Sequence, residues 1–333
     1  MRLLVKMLRF ISAAIISAVL SVIFSIVAVK LLKKFKLSQT ISGYVTEHSG
    51  KNGTPTMGGV IFVLPCIVVL TIFAKGESLL ATVAAAVFVA YATVGFIDDF
   101  IKIKFHRNEG LTPWQKIIFQ LFIAVFASAF VCRTGLYDQF IPFTNVKISF
   151  GWWFLPVGVL VFLSSSNCVN LTDGLDGLAA TTSAVYLVFS AALIFLQKKY
   201  VYADAAATAE YENLILLCVT CAAALGGFLL FNTNKASVFM GDTGSLALGG
   251  LLSAVLMISG NTFYIPIIGV TFVLSGLSVI IQVMHYKRTK KRVFLMAPLH
   301  HHFQHKGYSE AKIVFAYKLI TVLAGLVSLI AYL

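Results

Sequence analysis

The chain has 333 residues, of which 59% are hydrophobic and only 12% are charged, and its mean hydropathy is +0.91. A water-soluble domain of this length cannot bury so large an apolar fraction, so the composition indicates a polytopic membrane protein. The net charge of +13 is compatible with nucleic-acid binding, but the basic residues lie in segments between apolar runs. The positive-inside rule explains that distribution more simply, so no nucleic-acid partner is expected.

The apolar stretches of the chain are long enough to cross about 30 Å of hydrocarbon, which takes about 20 helical residues. They lie near residues 10–32, 58–74, 78–97, 117–132, 152–170, 178–196, 213–231, 244–260, 263–284 and 313–333. None alternates as a barrel strand does, so we expect an all-α polytopic membrane protein of about ten transmembrane helices, forming a single domain over residues 1–333. The second stretch is short and contains Pro65, which favours a tilted or broken helix.

An even number of spans places both termini on one side of the membrane. With periplasmic or extracellular termini, most lysines and arginines between the spans fall in the inner segments, which supports this orientation. The basic residues Arg2, Lys6 and Arg9 at the outer N-terminus are the one discordant feature. In this orientation all the motifs that carry chemistry lie on the cytoplasmic face.

One polar motif, Asn167-Cys-Val-Asn-Leu-Thr-Asp-Gly-Leu-Asp-Gly-Leu178, interrupts long apolar runs. Its two Asp-Gly pairs, at Asp173 and Asp176, are typical of turns, and a solvated polar loop is the plainer interpretation. Charge is costly beside membrane spans, so the flanking apolar runs favour a functional site at the membrane boundary.

A second motif places adjacent carboxylates, Asp98 and Asp99, at the end of the third span. If the helix continues, Lys102 lies one turn from Asp98 on the same face, and Lys116 follows nearby. Such a pair is suited to binding a divalent ion or to acting as a general base. A solvated helix end is the alternative.

The third motif, Gly241-Asp-Thr-Gly-Ser245, precedes the eighth span. Its glycines let backbone N–H groups approach an anion at the start of a helix. Asp242 suits a bound Mg²⁺, because hard cations take carboxylate and diphosphate oxygens as ligands. A simple helix cap explains the same letters without a ligand.

Two further motifs add groups suited to phosphates. Consecutive histidines, as in Pro298-Leu-His-His-His-Phe303, rarely converge on one metal, so contacts from one or two imidazoles to phosphate oxygens are favoured over a zinc site. The segment from Lys51 to Gly59 supplies a cation and a flexible backbone for another phosphate.

Together the motifs predict a diphosphate–metal site with at least four aspartates and a cation-rich rim. In-line phosphoryl transfer between a soluble nucleotide and a lipid acceptor is the chemistry that such a site performs. An ion-coupled transporter is the alternative, because carboxylates beside broken spans mark ion pathways. That alternative predicts charges deep within helices and two related halves, which the sequence does not display.

The motifs at Lys51, Asp98, Asn170, Gly241 and Pro298, taken in order, resemble those of the phospho-N-acetylmuramoyl-pentapeptide transferase family. The resemblance implies transfer of phospho-MurNAc-pentapeptide from UDP-MurNAc-pentapeptide to undecaprenyl phosphate, with Mg²⁺. The products would be UMP and lipid I, a peptidoglycan precursor made at the bacterial plasma membrane. It also implies a homodimer. Transfer of GlcNAc-1-phosphate, an activity of the wider superfamily, is the alternative.

The resemblance also implies roles for individual residues. Asp242 would ligate Mg²⁺, and Asp98 would act as a base or substrate-orienting acid beside Asp99. The remaining assignments are Asn170, Asp173 and Asp176 on the nucleotide side, Phe239 stacked on uracil, Lys51, Lys102 and Lys116 at phosphates, and His300, His301 and His302 at the diphosphate, with His300 in the catalytic set. Gln304 stands where the family often has an acidic residue, a small departure that leaves the histidine assignment in place.

Overall fold

The computed structural model describes residues 2–34, 54–105, 109–144, 146–201, 205–233 and 235–330. The helices in these ranges are Arg2–Lys34 (α1), Gly59–Phe73 (α2), Leu79–Lys104 (α3), Pro113–Arg133 (α4), Phe154–Thr172 (α5), Leu178–Val201 (α6), Ala205–Asn232 (α7), Gly241–Ile258 (α8), Ile265–Ile268 (α9), Val270–Thr289 (α10), Leu299–His305 (α11) and Glu310–Ile330 (α12). Two short antiparallel strands, Asp138–Phe140 (β1) and Lys147–Ser149 (β2), pair between α4 and α5.

Nine helices within the described ranges are long and apolar enough to cross a membrane, which confirms an all-α polytopic membrane protein. Of the ten predicted spans, nine correspond to these helices, and the second corresponds to the shorter helix α2. Helix α2 has 15 residues and contains Pro65. At 1.5 Å per residue α2 is about 22 Å long, less than the hydrocarbon thickness. Its first N–H group, on Gly59, donates to the Met240 carbonyl, and its last carbonyl, on Phe73, accepts from Arg9. These contacts tie α2 to opposite ends of the helix bundle.

Helix α8 forms the centre of the bundle. Every residue from Thr243 to Ile258 is buried, which is the pattern of a helix surrounded by other helices. It packs most extensively against α3 and α5. The first turn of α8 is therefore fixed against the last turns of α3 and α5, where the polar motifs lie.

The basic N-terminal head is explained by a polar network at the bundle end opposite those motifs. Lys6 Nζ lies 2.7 Å from Glu212 Oε1, and the Arg9 guanidinium donates to Asn213 Oδ1. Asn213 also donates to the carbonyl of Lys75, in the α2–α3 loop. Because Glu212 offsets positive charge in this head, counting basic residues alone overstates the charge at this end.

The β-hairpin closes the same end of the bundle and was not among the predicted elements. Its buried Gln139 accepts hydrogen bonds from the backbone N–H and the hydroxyl of Thr262, and donates to the Leu136 carbonyl. The hairpin is thus fixed to the segment that precedes α9. Strands this short carry no hydropathy pattern that distinguishes them from a loop.

Candidate active site

Three carboxylates meet where α3 ends and α8 begins. Asp98 and Asp99 lie in α3, which continues to Lys104, and Asp242 lies in the first turn of α8. One ligand oxygen from each of the three lies within 4.8 Å of the others. Asp98 and Asp99 are each only 1% exposed, so the negative charge is concentrated in a largely water-free place. Such a cluster requires cations nearby.

Two lysines supply that positive charge. Lys102 Nζ lies 2.6 Å from Asp98 Oδ2 and 2.9 Å from Asp242 Oδ2, and the first contact is the one-turn pair expected from the sequence. Lys116, from the first turn of α4, places Nζ 2.6 Å from Asp242 Oδ2 and 3.6 Å from Asp98 Oδ1. Asp242 therefore holds both ammonium groups, and the cluster has a formal charge of −1 from three carboxylates and two lysines.

The carboxylate of Asp99 fills the N-terminus of α8. Its Oδ2 accepts from the Thr243 N–H at 3.0 Å and the Thr243 hydroxyl at 2.7 Å, while Oδ1 accepts from the Asp242 N–H at 3.2 Å. Gly241 makes this approach possible with φ +70°, since a Cβ there would lie 2.4 Å from Asp99 Oδ2. The sequence predicted that an anion would bind at these N–H groups, and the described structure places the chain's own carboxylate there.

The end of α5 brings Asn170 to the same cluster. Its amide Nδ2 donates to Asp242 Oδ1 at 2.7 Å and to Ser245 Oγ at 2.8 Å. Because α5 runs to Thr172 and α6 begins at Leu178, most of the motif from Asn167 onward is helical rather than loop. The intervening loop comprises residues 173–177. Helical continuation is what aims Asn170 at α8.

Asp173 and Asp176 follow in that loop and differ in environment. Burial raises the pKa of Asp173 to about 8, with further contributions from the negative charges of Asp242, Asp99 and Asp176. Asp176 is 8% exposed, and its Oδ2 accepts from the Ala236 N–H at 3.0 Å. Asp176 therefore anchors the loop before α8, whereas the burial of Asp173 favours its protonated form.

The three histidines have different surroundings. His300 is fully buried, and its ring centroid lies 4.3 Å from that of His301. A Cβ added at Gly174 would lie 2.3 Å from His300 Nε2 and 3.1 Å from His301 Nε2, so both rings pack against the loop after α5. His302 instead accepts from the Leu295 N–H through Nδ1 at 3.1 Å. Its burial and the nearby Lys306 lower its pKa.

The backbone of Phe239 is hydrogen-bonded at both its N–H and its carbonyl to the segment that leads into α2. Its N–H donates to the Pro55 carbonyl at 2.7 Å and its carbonyl accepts from Gly58 at 2.9 Å. Its side chain is half-buried. Lys51, predicted to meet a phosphate, lies outside the described residues.

The structure thus joins Asp98, Asp99, Lys102, Lys116, Asn170 and Asp242 through direct contacts. Sequence reasoning missed Thr243 and Ser245, which bind Asp99 and Asn170, and the Leu111 N–H, which donates to Asp98 Oδ1 at 2.9 Å. Thr243 and Ser245 follow Asp242 at the start of α8. Hydroxyl residues at a helix start are typical capping groups, and that pattern was the signal available in the sequence. The acidic cluster lies at helix ends, unlike the mid-span charges that the transporter alternative predicts.

Comparison with known proteins agrees with this geometry. Residues 79–261 match glycosyl transferase family 4, and residues 51–63 match the phospho-N-acetylmuramoyl-pentapeptide-transferase signature 1. A phospho-N-acetylmuramoyl-pentapeptide-transferase of Halalkalibacterium halodurans is 40% identical over 324 residues, covering 95% of each chain. A protein of the same name from Clostridium perfringens strain 13 is 38% identical, and the match covers 94% of this chain and 96% of that protein. Another, from Desulfitobacterium hafniense, is 39% identical, and the match covers 97% of this chain and 98% of that protein. The chain belongs to the phospho-N-acetylmuramoyl-pentapeptide transferase family.

Proposed function

We propose that this protein transfers phospho-MurNAc-pentapeptide from UDP-MurNAc-pentapeptide to undecaprenyl phosphate, releasing UMP and forming lipid I for peptidoglycan synthesis. The observation that carries the proposal is the cluster of Asp98, Asp99 and Asp242 with two lysines between them. The carboxylates can hold a divalent cation, and the lysines beside them attract phosphates. A site that binds and activates a diphosphate needs both kinds of group. Membership of the family supplies the substrate class.

The residues present fit a Mg²⁺ ion, which this family implies. The donors are hard carboxylate oxygens, and the cluster keeps a formal negative charge even with both lysines in place. Asp242 is assigned as the ligand, because the partners of its Oδ2 are two partly exposed lysines, whereas both Asp99 oxygens accept hydrogen bonds from the start of α8. Bound Mg²⁺ would neutralise charge on the diphosphate, and Asp242 would hold it.

Lys102 and Lys116 are assigned to the phosphates. Their side chains are 13% and 19% exposed, so they are the cationic groups of the cluster that an incoming anion meets first. A phosphate that takes their ammonium groups frees Asp242 Oδ2 for a cation. The lysines therefore exchange a carboxylate partner for a phosphate partner when substrate binds.

The transfer itself is assigned to a direct displacement. Asp98 takes a proton from the lipid phosphate, an oxygen of that phosphate attacks the β-phosphorus of the UDP-sugar, and the bond from that phosphorus to the bridging oxygen breaks so that UMP leaves. Asp98 Oδ1 is fixed by the Leu111 N–H and Oδ2 lies against Lys102, so access to this base depends on movement of Lys102. A covalent aspartyl intermediate is the alternative.

The nucleotide is assigned to the other wall of the site. Asn170, Asp173 and Asp176 line this wall, and Phe239 stacks on uracil. His300 and His301 are assigned to contact the diphosphate from α11, where their rings pack on Gly174. His302 is assigned to the same diphosphate region, and its Nδ1 accepts from the Leu295 N–H. Lys51 joins the phosphate set by its motif alone.

The site is proposed to face the cytoplasm of a bacterial cell, with both termini on the outer side. Support comes from the basic residues near the acidic cluster, and from the soluble nucleotide that the reaction consumes. We also propose a homodimer, on the strength of the family alone.

The test is product formation by the purified, detergent-solubilised protein supplied with undecaprenyl phosphate, Mg²⁺ and either UDP-MurNAc-pentapeptide or UDP-GlcNAc. We expect UMP and a lipid-linked product from the first nucleotide and neither from the second. Turnover of UDP-GlcNAc alone would reassign the protein to GlcNAc-1-phosphate transfer. Isolation of a phosphosugar attached to Asp98 or Asp99 would replace direct displacement with the covalent route.

A further inference from the structure

A groove at the end of α10 is separate from the residues assigned to the reaction. Its lining residues are Val279, Gln282, Val283, Tyr286, Lys287, Arg292, Met296, Ala297 and His305, and its volume is about 650 Å³. That volume lies within the range of small-molecule sites in proteins. We propose that this groove, hereafter the α10 groove, binds an anionic phospholipid.

The floor of the α10 groove is apolar and lies within a membrane-spanning helix. Val279 and Val283 are one turn apart in Val270–Thr289, which qualifies as a span, and Val283 is 45% exposed. Met296 and Ala297 form the facing wall. In a bilayer the exposed side of Val283, within the span, faces hydrocarbon, so the floor suits an acyl chain rather than a soluble ligand.

The rim of the groove is cationic. Lys287 and Arg292 line it where α10 leaves the span, together with the ring of Tyr286. No acidic residue occurs in the sequence between Tyr286 and Ser309, so the rim has no carboxylate of its own segment to neutralise it. An apolar floor beneath a basic rim is complementary to a lipid with a negatively charged head group.

The wall opposite α10 is held in place before any ligand arrives. Gln282 Oε1 accepts from the Val293 and Phe294 N–H groups at 3.0 and 2.9 Å, and Gln282 Nε2 donates to the Phe294 carbonyl at 3.0 Å. Arg292 Nη1 donates to the Leu295 carbonyl at 3.0 Å. That bond uses one of the guanidinium's five N–H donors, so others remain for a phosphate. Because this wall is already ordered, ligand binding pays a smaller cost in conformational entropy than it would at a flexible site.

This inference goes beyond the proposed transfer reaction and does not depend on it, because lipid binding is measured without turnover. The competing occupant is undecaprenyl phosphate, which also combines an anionic phosphate with an apolar chain. We choose a phospholipid because none of the residues assigned to the reaction lines the α10 groove, whereas the acceptor phosphate must reach the acidic cluster to react.

The experiment titrates the full-length protein, delipidated in detergent, with phosphatidylglycerol, with phosphatidylcholine of the same acyl chains or with undecaprenyl phosphate. Bound lipid is counted by native mass spectrometry. The groove variant Lys287→Gln/Arg292→Gln is compared with Arg288→Gln/Lys291→Gln, which removes the same charge from the same segment but from residues that do not line the groove. We expect phosphatidylglycerol affinity to fall about 30-fold in the groove variant, which corresponds to about 2 kcal/mol for two surface cations. The control is expected to change less than about threefold.

A third variant, Val283→Trp, fills the floor without changing charge and is also expected to lose phosphatidylglycerol. Three results would overturn the proposal. One is equal loss in both charge variants, which indicates diffuse electrostatic attraction. Another is equal binding of phosphatidylglycerol and phosphatidylcholine by the unmodified protein. The third is loss of undecaprenyl phosphate, but not phosphatidylglycerol, from the groove variant, which identifies the acceptor as the occupant.

Discussion

The close approach of α3 to α8 at Gly95 gives the sharpest prediction of the site geometry. A Cβ added at Gly95 would lie 2.1 Å from the Asp242 carbonyl oxygen and 2.5 Å from the Thr243 nitrogen. Ordinary contacts between such atoms are near 3.5 Å, so Gly95→Ala forces the first turn of α8 away by about 1 Å. That turn carries Asp242, while Asp98 and Asp99 stay on α3. The substitution therefore widens the acidic cluster without altering any of its side chains.

The expected magnitudes follow from this displacement. Overpacking of a buried contact costs about 1–3 kcal/mol of folding free energy, which a thermal unfolding scan in detergent detects. A misplacement of about 1 Å lowers turnover by about 100-fold, which is measured as UMP release. The matched control is Gly226→Ala on α7, where an added Cβ meets no atom within 4 Å. Full turnover in Gly95→Ala would refute the inferred need for close contact between α3 and α8.

The remaining predictions concern charge. Lys116→Met removes a cation that competes for the acidic cluster, so Mn²⁺ binding measured by electron paramagnetic resonance should tighten about tenfold although turnover falls, while Lys147→Met at the opposite end of the bundle leaves binding unchanged. Weaker Mn²⁺ binding in Lys116→Met would contradict this. The pKa of Asp173 is raised to about 8, so its buried charged form costs stability as pH rises from about 4 to 8. In EDTA the unfolding temperature should therefore fall between pH 6 and pH 8, and it should fall less steeply in Asp173→Asn than in the unmodified protein. The same fall in both proteins would contradict the raised pKa of Asp173. Glu212→Gln breaks the 2.7 Å ion pair with the half-exposed Lys6 and should cost about 0.5–1 kcal/mol of folding free energy without altering the Mg²⁺ dependence of turnover. An unchanged unfolding temperature would show that the contact contributes nothing.

Hydropathy and motif order predicted the helical membrane fold and several of the residues that meet at the acidic cluster. Hydropathy succeeds because every span must satisfy its backbone internally in hydrocarbon, which leaves helices as the solution for such apolar runs. The one-turn spacing of Asp98 and Lys102 was equally readable, because helix geometry fixes it locally. These features depend on short-range pattern alone.

Contacts between distant segments were not readable in the same way. The sequence did not reveal that Asp99, rather than a ligand, accepts the N–H groups at the start of α8, because helix rotation and depth decide which atoms meet. It treated the three histidines as one group, whereas His302 turns to the Leu295 backbone. The pairing of Lys6 with Glu212 joins residues 206 positions apart and leaves no local pattern.

The most direct test of the central claim is Mg²⁺-dependent UMP release by Asp242→Asn compared with the unmodified protein. Asp242 contacts Lys102, Lys116 and Asn170, so the neutral amide removes the charge at the centre of the cluster while keeping the side-chain shape. We expect the unmodified protein to release UMP from UDP-MurNAc-pentapeptide in the presence of undecaprenyl phosphate. Asp242→Asn should unfold at a similar temperature and lose at least about 1,000-fold of that release. Undiminished release by folded Asp242→Asn would contradict the assignment of the reaction to this cluster.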